Sequence, residues 1–198
     1  MRFLSTFAAC ILAFLTLWYF IPTEEECEIY NSTLRLHVIA NSDSEEDQRV
    51  KLLVRDAVLD CISEYDARSK EEAVTQISAH REDIEKVAEE VLLENGMSGD
   101  VSLKIAQEQY PVRYYEDFSL PAGEYTSVMI SIGDAKGQNW WCVLFPPLCT
   151  SFAVGGDDEY VDVGLSKDQY NMITGSNGSY KVKFKLLEIA AGALGVDY

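Results

Sequence analysis

Two histidines, His37 and His80, are the side chains of this 198-residue sequence best suited to acid–base or metal chemistry. An imidazole catalyses a reaction when a carboxylate orients it beside a nucleophile or a metal ion. His80 lies in the charged stretch "SAHRED", and His37 alternates with apolar residues in "LRLHVIAN". The HExxH, GxSxG, P-loop and GxGxxG patterns do not occur in the sequence. We therefore predict structural or solvated histidines and no catalytic site.

Two acidic stretches, "NSDSEED" and "GDDEY", contain enough carboxylates to suggest a cation site. Neither has the ligand spacing of a twelve-residue calcium loop. Acidic residues are favoured in the first turn of a helix, which explains the first stretch, and a solvated loop explains the second. We therefore predict neither a metal ion nor a cofactor.

Five cysteines are spread along the chain. Cys10 lies in an apolar N-terminal segment, Cys27 follows that segment, and the helical spacing of Cys61 behind apolar residues predicts a buried thiol. Cys142 and Cys149 remain as a local pair, with six residues between them instead of the two typical of redox motifs. A structural disulfide fits a non-reducing compartment, and two unpaired buried thiols are the alternative.

The stretch "GQNWWCVLFPPLC" (137–149) combines adjacent tryptophans with adjacent prolines. In a strand the two tryptophans point to opposite faces, so only one of them can fill a one-sided core. The prolines fix two backbone angles and stiffen the end of the stretch. Rigid aromatic side chains dominate protein-binding surfaces, and two tryptophans that are each covered by another element are an equal alternative. The predicted contact surface consists of Gln138, Asn139, Trp140, Trp141, Pro146 and Pro147.

The first 23 residues predict a signal anchor or signal peptide. The stretch "FLSTFAACILAFLTLWYFI" (3–21) has no charge, and as a helix it would be about 28 Å long, close to the apolar thickness of a bilayer. Arg2 precedes it and three glutamates follow it, which places the rest of the chain outside the cytoplasm. The end of the stretch lacks a small-residue cleavage site, which favours an uncleaved anchor. Residues 24–33 would then form a short acidic linker.

Composition indicates a soluble domain after this segment. With 47% hydrophobic residues the chain can bury a core, and its formal net charge of −17 favours solubility. Nucleic acid is a poor partner, because its phosphates would be repelled by such a surface.

Hydrophobic periodicity gives the elements that must position these residues. It predicts a strand over 32–41, a helix over 45–62 capped by Ser42 or Ser44, a helix from the Ser69–Glu72 capping box to about 95, and strands over 101–110 and 125–134. Residues 153–179 predict an exposed loop, and a last strand or helix follows. The order predicts an α+β fold: one compact domain over 34–198, with two helices packed on a mostly antiparallel sheet and preceded by the membrane segment.

Three separated blocks of the sequence closely resemble the stage II sporulation protein R family of endospore-forming bacteria. They are "LRLHVIANSDSEEDQRVKLLVRDAVLD", then "LPAGEY" with "GDAKGQNWWCVLFPPLC", and a shorter "VKFKLLEI". The resemblance implies a signalling protein that is exported from the forespore into the space between the forespore and mother-cell membranes. There it would activate a membrane-embedded aspartic protease of the mother cell that cleaves pro-sigma-E.

The six residues of the predicted contact surface would then touch the protease, and Cys142 and Cys149 would hold the shape of that surface. Asn41, Asp43 and Arg55 around the first helix form a second candidate surface. Two alternatives stay open at this point. One is a cell-wall hydrolase that uses His37 with a nearby carboxylate, and the other is a glycan-binding module that stacks sugars on Tyr114, Tyr115 and the tryptophans.

Overall fold

A computed structural model describes residues 24–115, 118–147 and 167–174, together with Thr6, Phe7, Cys10, Ile11 and Phe14, which are helical. Most of the predicted membrane segment, Cys149 and the predicted C-terminal strand or helix lie outside these residues. Within the described ranges, no helix combines the length and apolar character that crossing a bilayer requires.

The described elements follow the order helix, strand, three helices, five strands and a last helix. The helices are α1 (Glu24–Ser32), α2 (Glu45–Ser63), α3 (Lys70–Ala79), α4 (Arg81–Glu94) and α5 (Lys167–Ile173). The strands are β1 (Leu34–Ile39), β2 (Val101–Tyr110), β3 (Arg113–Tyr114), β4 (Ser119–Leu120), β5 (Gly123–Ile132) and β6 (Asn139–Phe145). The α+β class is confirmed, and the stretch predicted as an acidic linker is mostly the helix α1.

The main sheet of the described residues has the strand order β2-β5-β1-β6, with β1 in an inner position. Strand β1 pairs in parallel with β5 and antiparallel with β6, so the sheet is mixed. The parallel pair is possible because three helices and the strands β2, β3 and β4 separate β1 from β5 in the chain, which allows a crossover connection. All of β1 except Ile39 is buried, since neighbouring structure covers both faces.

Helix α2 begins where the sequence predicts it. Ser44 is the N-cap, and its hydroxyl accepts a hydrogen bond from the Asp47 amide at 3.1 Å. Ser42, the other predicted cap, instead donates its hydroxyl proton to the Asp47 carboxylate.

The second predicted helix is divided into α3 and α4. The prediction of two helices between β1 and β2 is therefore wrong, because the structure has three. Ser69 caps α3 by accepting from the Glu72 amide at 3.1 Å, as the capping box predicts. The division falls at His80, whose φ of −103° and ψ of 21° leave the helical region. The apolar spacing changes there as well, because no apolar residue lies between Ile77 of α3 and Ile84 of α4 other than Ala79.

The core lies between α2, α3, α4 and one face of the main sheet. Strand β1 contributes alternate residues to it, and α2 contributes one apolar stripe, in agreement with the periodicity. Burying each Val or Leu side chain of this kind contributes about 1.5–3 kcal/mol. The fully or nearly fully buried members include Leu34, Leu36, Val38, Val50, Val54, Val58, Ile77, Ile84, Leu92, Val128 and Ile130.

The described chain divides into two compact units, where the sequence predicted one domain over 34–198. One unit contains the described residues of 30–108 and 124–166, and the other contains those of 1–29, 109–123 and 167–198. In the second unit β3 pairs antiparallel with β4, and Ser119 donates its hydroxyl to the Ile173 carbonyl at 3.3 Å. Residues 167–173, predicted as part of an exposed loop, form α5 instead and bury Met172 and Ile173.

Candidate docking surface

The two tryptophans of β6 lie on opposite faces of the sheet, as their strand position predicts. Trp140 pairs in register with Val38 and packs half-buried against the core on the helix side. Trp141 pairs in register with His37 on the other side, and the two rings stack with centroids 5.4 Å apart. The predicted contact residues are therefore distributed over two faces.

Gln138, just before β6, is held at both of its backbone groups. Its amide donates to Asp43 Oδ1 at 2.7 Å, and its carbonyl accepts from Lys51 Nζ at 2.9 Å. We call these two contacts the Gln138 clamp. The Asp43 contact spans 95 residues of sequence, so the clamp joins the β1–α2 connection to the start of β6.

Further hydrogen bonds tie the β5–β6 turn to the same connection. Asn41 Oδ1 accepts from the Asp134 amide at 3.0 Å, and the Asn41 carbonyl accepts from the Lys136 amide at 3.2 Å. The Gly137 amide donates to the Ala40 carbonyl at 2.9 Å. The turn is therefore positioned by several independent bonds, which restrict the direction in which β6 begins.

Arg55 lies over the ring of Trp140, with its guanidinium carbon 4.6 Å from the ring centroid. This distance is within the range of a cation–π contact. The guanidinium also pairs with Asp56, at 2.6 Å between Nη2 and Oδ1. Asp43 and Arg55 of the weaker sequence-derived set thus meet Gln138 and Trp140 of the stronger set, whereas Asn41 holds the turn that precedes them.

Lys51 is the residue of this region that the sequence reasoning missed. Its side chain is only 5% exposed, and Nζ donates to Gln48 Oε1 at 2.6 Å as well as to the Gln138 carbonyl. Burial lowers the pKa of Lys51; the Asp43 carboxylate opposes that shift, and the positive charge of Arg55 adds to it. The sequence did contain a signal for the burial of Lys51, because this residue lies at helical spacing between Asp47 and Val54 on the buried side of α2.

The far end of β6 carries the remaining predicted contacts. Pro146 is buried, whereas Pro147 is exposed. Pro147 also lines a cavity of about 320 Å³ whose walls are mainly apolar and include Leu59, Ile62 and Phe145. Cys142 is fully buried within β6. Because Cys149 lies outside the described residues, the disulfide between them stays a prediction.

His37 has a carboxylate partner, as the hydrolase alternative requires. Its Nδ1 lies 3.0 Å from Glu108 Oε1, and its side chain is 10% exposed. Its Nε2 is buried, and no described residue provides a hydrogen-bond partner for it. A general base has to present its free nitrogen to a substrate, and this nitrogen faces the interior beside Trp141.

His80 is exposed at the start of α4, where its Nδ1 lies 3.2 Å from Asp83 Oδ2 and its ring stacks on Tyr65. Burial raises the pKa of Tyr65, and a contact with the Cys61 thiol adds to that shift.

Tyr114 is 53% exposed, whereas the ring of Tyr115 stacks on Phe118 with centroids 4.4 Å apart. Across the described ranges, no group of three His, Cys, Asp or Glu side chains is arranged to hold a metal ion.

The described residues define an α+β protein in which an aromatic surface on one strand is fixed by a neighbouring loop and helix. Residues 30–154 match the stage II sporulation protein R (spore_II_R) family, which is more than half of the chain, and the chain belongs to that family. The resemblance seen in the sequence is thus confirmed.

Stage II sporulation protein R of Bacillus subtilis (strain 168) is 39% identical to this chain over 123 residues, which are 61% of the chain and 55% of the relative. The match therefore spans about half the length of that relative. No solved structure matches the chain.

Proposed function

We propose that this protein is an exported sporulation signal that activates, by binding, the membrane-embedded aspartic protease that processes pro-sigma-E. Membership of the stage II sporulation protein R family supports a role in sporulation. The partner, the export and the space between the forespore and mother-cell membranes are expectations from the resemblance. On this proposal the protein acts without chemistry of its own.

The observation that carries the docking part of the proposal is the fixed position of Trp140. The ring is half-buried beneath Arg55, next to the exposed residues Gln138 and Asn139. An aromatic ring that is already immobilised loses little entropy when a partner covers it. We therefore place the protease contact at Gln138, Asn139, Trp140 and Arg55, on the helix side of β6.

Processing of pro-sigma-E in a non-sporulating host that also produces the protease tests this proposal. We expect Trp140→Ala to reduce processing about 10-fold or more, as is typical of a hot-spot aromatic residue. Leu93→Ala is the matched control, because it removes an apolar side chain that is 69% exposed on α4. Near-normal processing by a folded Trp140→Ala protein would contradict the proposal, as would a loss that follows Trp141→Ala alone.

The pairing of His37 with Glu108 favours one second candidate, the cell-wall hydrolase. A hydrolase would need the buried Nε2 of His37 to become accessible to substrate. A folded His37→Gln variant separates the two functions. On the binding proposal this variant keeps its processing activity, and on the hydrolase alternative it loses a wall-degrading activity that the unsubstituted protein must show.

A further inference from the structure

A lysine side chain is buried in the first half of α2, on a face that is otherwise apolar except for Asp47. Lys51 is 5% exposed and lies close to Val50 and Val54, both of which are almost completely buried. An ammonium group in such a place costs free energy relative to an apolar side chain of similar volume. Its contribution therefore has to be sought in what it holds, namely the Gln138 carbonyl at 2.9 Å.

Asp43 holds the other backbone group of the same residue. Its Oδ1 accepts from the Gln138 amide at 2.7 Å, which is the length of a strong, charge-assisted hydrogen bond. The carboxylate of Asp43 is thus engaged with the chain itself. The Gln138 clamp holds the amide of this residue through Asp43 and its carbonyl through Lys51. Because the two bonds act on different backbone groups, they restrain both the position and the rotation of the backbone at Gln138.

The clamped residue lies two positions before Trp140, and Arg55 lies four positions after Lys51, one helical turn further along α2. The same face of α2 therefore fixes the approach of β6 through Lys51 and covers the Trp140 ring through Arg55. Only Asn139 separates Gln138 from Trp140 in the chain. We therefore expect a change in the backbone angles of Gln138 to move the Trp140 ring relative to the Arg55 guanidinium.

We infer that Asp43 and Lys51 are positioning residues for Trp140: they act through the Gln138 peptide and do not touch the partner themselves. This inference deepens the proposed function, and its role in activation rests on that function. It also reassigns Asp43, an exposed residue that the sequence suggested as a contact, to the role of holding the contact surface in place.

A fluorescence measurement tests the structural half of the inference independently of any protease. In the full chain with Trp18→Phe and Trp141→Phe, Trp140 is the only tryptophan. We expect Asp43→Ala and Lys51→Met each to shift the emission to longer wavelength and to raise acrylamide quenching about twofold. Asp43→Asn keeps an acceptor oxygen and should restore the original signal.

Two exposed residues supply the controls for charge and side-chain loss. Glu46→Ala removes an exposed carboxylate from the first turn of α2, and Lys86→Met removes an ammonium that is 74% exposed on α4. Neither should change the emission of Trp140. An unchanged signal in folded Asp43→Ala protein would overturn the inference, and the Asp43 pair decides the matter even if Lys51→Met fails to fold.

A double-mutant cycle on pro-sigma-E processing tests the functional half. We expect Asp43→Ala to reduce processing about 5-fold, Asp43→Asn to keep it, and Asp43→Ala to cause no further loss when Trp140 is already alanine. Losses that multiply would show that Asp43 touches the partner, which overturns the positioning role. If processing is indifferent to Trp140 while the emission shifts as expected, the proposed function fails and the positioning of Trp140 stands.

Discussion

Asp47 is a carboxylate that the β1–α2 connection surrounds with hydrogen-bond donors. It is 7% exposed and accepts from the Ser42 hydroxyl and from Asn41 Nδ2 at 3.1 Å. The bond from Ser42 is the main cause that lowers the pKa of Asp47 below its ordinary value of 3.8; burial opposes it, and the contacts with Asn41 and Ser44 add to it. Asn41, which donates to Asp47, also accepts from the Asp134 amide of the β5–β6 turn, so Asp47 helps to fix a residue that holds this turn.

The lowered pKa of Asp47 gives a pH dependence with a definite sign. A carboxyl whose pKa is lower in the folded protein stabilises it above the unfolded value, and the stabilisation is lost as pH falls through the folded value. We expect Asp47→Asn to lower the free energy of unfolding by about 1–2 kcal/mol at pH 7. The difference from the unsubstituted protein should begin to shrink below about pH 4, where the carboxyl of the unfolded chain takes up a proton, and should disappear only below the lower pKa of the folded protein.

Urea unfolding followed by far-ultraviolet circular dichroism between pH 7 and pH 3 measures this difference. Asp60→Asn is the matched control, because Asp60 is an exposed carboxylate on the same helix. A gap that stays constant over the whole range would mean that the ionisation of Asp47 does not stabilise the fold.

The turn between β5 and β6 is the element on which the candidate surface depends. Gly133 has a φ of +54°, and Ala135 has a φ of 50°, so the chain passes twice through left-handed geometry. Gly137 then approaches the loop before α2 so closely that a Cβ would overlap the Ser42 carbonyl. The contact at Gly137 is with backbone, which cannot move aside as a flexible side chain could.

We expect Gly137→Ala to lower the free energy of unfolding by about 1–3 kcal/mol, because the added methyl group pushes the turn away from Ser42. Thermal unfolding of the full chain measures the loss. Gly99→Ala is the matched control, since its nearest neighbour would lie at an ordinary contact distance of 3.9 Å. Equal stability of the two variants would show that the turn accommodates a Cβ without strain.

Local pattern predicted several elements well, because the periodicity of each is set by neighbours close in sequence. The alternation around Leu34, Leu36 and Val38 predicted β1, and the Val50–Val54–Val58 stripe predicted α2. The break at His80 was not predicted, since it involves neither Gly nor Pro. The parallel pairing of β1 with β5 could not be predicted, because local pattern says nothing about which strands become neighbours.

The candidate site shows the same limit. Sequence reasoning singled out the 138–141 stretch and Asn41, Asp43 and Arg55 as two separate sets. Their meeting depends on a hydrogen bond across 95 residues, which no local pattern encodes. The placement of Trp140 and Trp141 on opposite faces did follow from strand geometry, and it divides the predicted contacts between two sides.

At the scale of the whole chain, an acidic domain is joined to an apolar N-terminal segment. The chain has a net charge of −17, which favours solubility, while residues 3–21 carry no charge. On the proposed function such an arrangement would be favourable, because attachment to a membrane would confine the activator near its partner and raise its effective concentration.

We expect the full chain to stay with the membrane fraction after an alkaline carbonate wash, and a chain that lacks residues 2–23 to be released. Immunoblots of the two fractions measure the distribution, and mass spectrometry of the N-terminus shows whether the segment is intact. Export followed by release of a chain shortened at its N-terminus would establish a cleaved signal peptide and refute the anchor.

The inner position of β1 has a consequence for folding during synthesis. Both partners of Leu34, Thr126 and Phe145, are made roughly 90 and 110 residues after it. Until β5 and β6 have been synthesised, the β1 segment has unpaired backbone hydrogen-bonding groups on both edges and exposed apolar side chains, which favour aggregation with other chains. A chain that terminates before β5 would therefore be prone to aggregate. We expect holdase chaperones to bind this polypeptide mainly before β5 has been synthesised.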